Sequence, residues 1–133
     1  MKKIVCFFLI VFGLQSLVAQ ETFTRKDSLH GGLRFERTCF DVLRYNLDIM
    51  VLPRTKKIKG NNEIIFKVVE NTKNIQVDLF DNMQIDSIIW NKQKLDYKRE
   101  FNAVFISFPS ELNKETTQSI QFFYQGNPVV ARN

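Results

Sequence analysis

From Asp41 onward the chain repeatedly places apolar residues at every second position, and this period constrains the fold more than any other feature. Tyr45, Leu47, Ile49 and Val51 fall on one face of an extended segment, while Arg44, Asn46 and Asp48 fall on the other. Pro53 to Gly60 reads as a basic turn, and Ile64, Phe66 and Val68 return as a partner strand. Together they predict an antiparallel hairpin whose loop is longer than two residues. Short strands follow at similar spacing. Ile75, Val77 and Leu79 form one, and Met83, Ile85, Ser87 and Ile89 the next after an Asp81-Asn82 turn. Leu95 with Tyr97, then Val104, Ile106 and Phe108, then Ile120, Phe122 and Tyr124 complete the set. No helical period persists over ten residues beyond the first twenty. The expected fold class is all-β, an antiparallel β-sandwich.

Size and composition agree with one such domain. The chain has 133 residues, 44% of them hydrophobic, which is too apolar for intrinsic disorder and too short for two domains. The expected organisation is a signal peptide at 1–19, a polar extended arm at 20–40 broken by Gly31-Gly32, and a β-sandwich at 41–126. Residues 127–133 read as the start of a connection that is cut short.

The first segment carries the compartment signal. Met1-Lys2-Lys3 gives a positive start, Ile4 to Leu14 an apolar run of eleven residues, and Val18-Ala19-Gln20 a small residue before a polar one. This is the pattern of a secretory signal peptide cleaved between Ala19 and Gln20. The run is short for a bilayer span, which needs about 20 apolar residues. Cys6 lies inside the run rather than after the cleavage point, which argues against lipidation. The expectation is an exported protein, periplasmic or extracellular, with no stable membrane anchor after cleavage. Loss of Lys2 and Lys3 would lower the net charge from +5 to +3. So weak a charge on an exported domain gives no footprint for nucleic acid. Cys39 would remain as an unpaired cysteine, read as buried and inert.

Candidate chemistry is sparse. Asp27, Ser28 and His30 lie within four residues, too close in sequence to adopt triad geometry easily, so turn and capping roles fit them better. His30 and Cys39 could give two metal ligands where structural zinc needs four, and neither CxxC nor HExxH is present. Asp78, Asp81 and Asp86 match no calcium loop and read as polar turn residues. Lys56, Lys57 and Lys59 read as a solvated hairpin tip. Trp90 and the Phe122-Phe123-Tyr124 run could offer a sugar-stacking face, but alternation assigns Phe122 and Tyr124 to a core. No catalytic, cofactor-binding or metal residue is expected in this chain.

The order of residues adds a resemblance. The stretch Arg25-Lys-Asp-Ser-Leu-His-Gly-Gly-Leu-Arg-Phe-Glu-Arg-Thr-Cys-Phe-Asp-Val42 is similar to the entry into the N-terminal domain of M1-family (gluzincin) zinc aminopeptidases. The similarity is nearest the secreted forms common in Bacteroidetes-type bacteria. It continues through Tyr45-Asn-Leu-Asp-Ile49, the hairpin to Ile58-Lys-Gly60, Ile75-Gln-Val-Asp-Leu79 and Phe123-Tyr124-Gln-Gly-Asn-Pro128. Phe35 and Phe40 depart from it, standing where such relatives tend to carry Pro and an aromatic Tyr or Trp.

The resemblance implies a saddle-like β domain that packs on a thermolysin-like catalytic domain and walls its substrate cavity. It also implies zinc for the full-length parent only, since HExxH and the amine-binding Gly-x-Met-Glu-Asn strand are absent here. The expected partner is an M1-type catalytic domain, in cis or in trans. The alternative reading is a stand-alone secreted Ig-like module that binds glycan or protein. The first reading expects an exposed apolar face where the catalytic domain would meet it, and glycan or protein binding lost on Trp90→Ala with the fold intact would favour the second.

Overall fold

A computed structural model describes residues 23–129. The expected signal peptide at 1–19, its expected cleavage between Ala19 and Gln20 and the end of the expected terminal connection lie outside the described residues.

The segment expected to be an extended arm instead holds two short helices, α1 (Arg25–Gly31) and α2 (Phe35–Thr38). The reason is local. Thr24 caps α1 with a reciprocal capping box: its side chain accepts from the Asp27 backbone N–H, and the Asp27 carboxylate accepts from the Thr24 N–H at 2.9 Å and from its hydroxyl at 2.6 Å. These bonds hold the Asp27 carboxyl below its usual range. A seven-residue helix is too short to display a sequence period, yet its cap was present in the residue order.

Among the described residues eight strands follow: β1 (Phe40–Leu52), β2 (Lys57–Val68), β3 (Thr72–Asp78), β4 (Met83–Trp90), β5 (Gln93–Lys94), β6 (Asp96–Glu100), β7 (Ala103–Leu112) and β8 (Thr117–Gly126). They form two antiparallel sheets, one in the order β1-β2-β8-β4-β5 and the other β3-β7-β6. The fold is an antiparallel β-sandwich, as alternation predicts.

The hairpin loop is tighter than the expected turn from Pro53 to Gly60. A single 3-10 turn at Pro53–Thr55 and Lys56 in the left-handed conformation (φ 51°) reverse the chain, so pairing resumes at Lys57 opposite Leu52. Proline supplies the fixed φ that starts such a turn.

The core lies between the sheets. Phe66, Ile120 and Ile88 from the larger sheet meet Ile75, Val104, Ile106 and Phe108 from the smaller, all fully or almost fully buried. Each such side chain contributes about 1.5–3 kcal/mol of hydrophobic stabilisation. Phe66 packs edge-on to Phe40 with centroids 5.4 Å apart, and Trp90 packs edge-on to Phe108 at 5.5 Å. The fourth strand corrects one expectation. A bulge between Ile85 and Ser87 shifts its phase, so Ile88 rather than Ile89 enters the core.

The helices pack against β3. Leu29 of α1 is buried, and its carbonyl accepts from both Gln76 Nε2 and Arg37 Nη2 at 3.1 Å. Gln76 is therefore buried although it points opposite to the buried Ile75. Arg25 of α1 also forms a bidentate pair with Glu100 of β6, its Nη2 donating at 2.7 Å.

Candidate interaction surface

The long β1–β2 hairpin outreaches the smaller sheet that should cover it. Tyr45 sits opposite Ile64, a buried residue, which sets the face of every second residue that follows. Leu47, Ile49 and Val51 continue on that inner side, as alternation predicts. None of them is buried: Tyr45 is 56% exposed, Leu47 61%, Ile49 43% and Val51 63%. This apolar face of the strand is thus open along its distal half. The reason is length. The two hairpin strands run 13 and 12 residues, whereas β3, the edge of the smaller sheet, runs seven.

The opposite face of the hairpin is polar in its middle and satisfied by its own residues. Glu63 accepts from Asn46 Nδ2 at 2.7 Å and from Ser119 Oγ at 2.9 Å, tying together β1, β2 and β8. Those bonds hold its carboxyl below the usual glutamate range. On this side of β1, Met50, Leu52 and the bulged Leu43 add exposed apolar surface.

Where the row runs back between the sheets, it meets a cleft of about 520 Å³. Val42, Tyr45 and Ile64 line one side, Val77 and Leu79 the other, with Phe122 and Tyr124 between them. The size falls within the range of natural ligand clefts. Burial pushes the Tyr124 hydroxyl pKa up. Arg37, Asn62 and Gln76 supply polar groups to the same walls. The sequence reading singled out none of these three. Asn62 carried a signal, a polar residue in line with Ile64, Phe66 and Val68, whereas the burial of Gln76 depends on α1, which periodicity did not disclose.

Of the residues considered for chemistry in the sequence, Asp27, His30 and Asp78 line one small cleft of about 220 Å³, and none of the others joins them. The Asp27 carboxylate is engaged by Thr24, and His30 is exposed on the same helix. Cys39 is fully buried, its thiol donating to the Asn74 carbonyl at 3.7 Å, and burial pushes its pKa up. Asp78 accepts from Arg37 and from Gln76, while Asp86 accepts from Gln125 at 2.7 Å. Asp81 is tied through its backbone N–H to Asn102. Among the described residues no three His, Cys, Asp or Glu side chains gather as metal ligands. Lys56 and Lys59 are exposed at the hairpin tip and Lys57 is half-buried. Trp90 is half-buried: its ring packs on Phe108 and its indole N–H donates to Gln118 at 3.0 Å, so it forms part of the core rim. No helix among the described residues is long and apolar enough to cross a membrane.

No protein-family model matches the sequence, and no curated protein sequence aligns with it. The fold, in contrast, is similar to part of several solved structures. A two-domain M1 zinc metallopeptidase with bound L-arginine superposes with a TM-score of 0.61 and 21% identity over 71% of this chain. The form with bound L-tryptophan gives 0.63 and 20% over 73%. The M1 zinc metallopeptidase from Deinococcus radiodurans gives 0.63 and 21% over 71%. In each case the chain spans 22% of the length of the matched protein. The likeness is one of fold, to a β portion of these enzymes. The one histidine and the absence of a ligand cluster among the described residues mean that this chain's residues do not fit their zinc.

Proposed function

We propose that the chain is the N-terminal, non-catalytic β domain of an exported M1-type zinc metallo-aminopeptidase, which scaffolds a catalytic domain outside this chain and walls its substrate cavity. The observation that carries this reading is the open inner face of β1, with Tyr45, Leu47, Ile49 and Val51 aligned and exposed on a fold shared with M1 metallopeptidases. An aligned apolar row of this kind supports a large partner surface. In this reading the partner is the catalytic domain, joined in cis or recruited in trans. Zinc belongs to that domain, and the residues of this chain shape and hold without reacting. The apolar run Ile4–Leu14 after Lys2-Lys3 supports export, to the periplasm or beyond. Trp90, the residue on which a glycan-binding module would most depend, is engaged with Phe108 and Gln118, which favours the domain reading over that alternative.

The test is made on the native polypeptide, isolated from its source with an antibody to the exposed Pro53–Lys56 turn. It is expected to carry or co-purify with an HExxH-bearing segment, to contain zinc and to release amino acids from aminoacyl-4-nitroanilides. A native polypeptide without such a segment, bound or covalent, overturns the proposal. The 133-residue chain alone is expected to be inert with or without added zinc. Hydrolysis by clean chain would contradict its non-catalytic assignment.

A further inference from the structure

The tip of the β1–β2 hairpin carries two features that a domain docked on the inner row leaves unused. One is apolar: Met50 and Leu52 point away from that row and are 61% and 41% exposed. The other is charge. From Ile49 to Asn62 the ionisable residues are Arg54, Lys56, Lys57 and Lys59, and none is acidic. Pairing puts both features on one surface. Met50 stands directly opposite Lys59, and Leu52 opposite Lys57, and directly opposed residues of an antiparallel pair share a face. Among the described residues none of the four cations forms an ion pair within the chain. The carboxylates of this face lie farther back: Asp48 two residues before Met50, and Glu63, which Asn46 and Ser119 engage.

The tip is also held out from the sheet. Pairing with β8 stops at Ile58 opposite Gly126, so Leu52, the turn and Lys57 project past the end of that strand. Asn127 Nδ2 donates to the Thr55 and Lys56 carbonyls at 2.8 and 2.9 Å, which fixes the turn before any partner arrives. Exposed apolar side chains beside unpaired cations match the boundary between acyl chains and anionic headgroups. Methionine and leucine enter the acyl edge there, while lysine stems lie along it and carry their ammonium groups to the phosphates. An acidic protein surface would match the cations and set Met50 and Leu52 against polar groups. A purely apolar surface would strip water from the lysines without replacing it.

We propose that the hairpin tip is a reversible membrane-docking site, which sets Met50 and Leu52 into an anionic lipid surface under Arg54, Lys56, Lys57 and Lys59. The proposal uses the outer face of the hairpin and leaves the inner row to the catalytic domain. It stands apart from the peptidase reading, since an M1-type parent whose tip ignores lipid would keep that reading and lose this one.

The experiment footprints the 133-residue chain with hydroxyl radicals, alone and with two kinds of vesicle. One kind is about four parts phosphatidylcholine to one of phosphatidylglycerol, and the other is phosphatidylcholine only. Reading residue by residue separates the tip from the Ile4–Leu14 run, whose apolar side chains would bring the chain to either kind. Met50 is expected to be protected at least fivefold by the anionic vesicles and not by the neutral ones, while Tyr45 and Leu47 of the inner row keep labelling. Arg54→Glu with Lys59→Glu, at two exposed positions, should abolish that protection. Should this variant fail to fold, about 0.5 M NaCl should abolish it in the wild type. Protection of Met50 by neutral vesicles would show that the tip reads apolarity alone, and protection by soluble polyglutamate that it reads an acidic protein surface; either overturns the proposal. So would protection that extends equally to Tyr45 and Leu47, or a Met50 that labels freely on the anionic vesicles.

Discussion

The Tyr124 ring lies against Gly60, its directly opposed residue across the β2–β8 pair: a Cβ at position 60 would stand 3.1 Å from the Tyr124 hydroxyl and 2.9 Å from the Asp48 carbonyl oxygen. The missing side chain therefore makes room for the aromatic that lines the cleft. Its backbone is unstrained, so the requirement is one of space. Gly60→Val is expected to destabilise the chain by about 1–3 kcal/mol through overpacking. A shift of the urea midpoint at unchanged slope would show it, and an unchanged midpoint would mean that Tyr124 swings away freely.

The two kinds of apolar residue should behave oppositely on mutation. Ile106→Ala, in the fully buried core, is expected to cost about 2–5 kcal/mol. Leu47→Ser, on the open row, is expected to change the stability of the isolated chain by no more than about 0.5 kcal/mol. Paired urea titrations check both, and a large loss for Leu47→Ser would mean that the row already packs within this chain.

Cys39 should report unfolding. Burial removes its thiol from solvent and favours the protonated form, whereas a thiolate is the reactive species. Alkylation read by site-resolved mass spectrometry is expected to leave Cys39 unmodified in buffer and to label it as urea unfolds the sandwich. Labelling in the folded state would contradict the packing around α2 and β3.

Acid should loosen the strap across the outer face. The folded-state pKa of Glu63 lies below its unfolded value because Asn46 and Ser119 donate to the carboxylate. Its contribution is therefore complete above the ordinary glutamate range, about pH 4.3, and is lost as pH falls through the lowered folded value. Glu63→Gln should flatten that part of the stability–pH curve between about pH 5 and pH 3. A wild-type slope in the variant would place the acid sensitivity elsewhere.

Much of this fold was legible in the residue order, because period-two alternation is a local signal. Phe66, Ile106 and Ile120 lie in the core where alternation predicts them. Four features escaped it. Ile88 replaces Ile89 because a bulge resets the phase of the fourth strand, and a bulge leaves little trace in composition. The helix at Arg25–Gly31 is too short for a period, although Thr24 and Asp27 stand at the spacing of its cap. Alternation puts Tyr45, Leu47, Ile49 and Val51 on one face but does not say that this face stays open, because coverage depends on how far the other sheet extends. That sheet length is a property of the assembled fold, and no single strand encodes it. The cleft was invisible for the same reason: Asn62, Gln76 and Arg37 come from β2, β3 and α2 and meet only when the sheets stack.

Radical footprinting of the open row tests the central claim most directly, comparing the 133-residue chain with the native polypeptide isolated from its source. Tyr45 and Leu47 on the inner face are the reporters, and Met50 on the opposite face is the internal control. In the isolated chain all three are expected to label. In the native polypeptide Tyr45 and Leu47 are expected to be protected at least fivefold while Met50 labels as before. Equal labelling of Tyr45 and Leu47 in both samples would show that nothing covers this face, and the scaffolding role would fall with it.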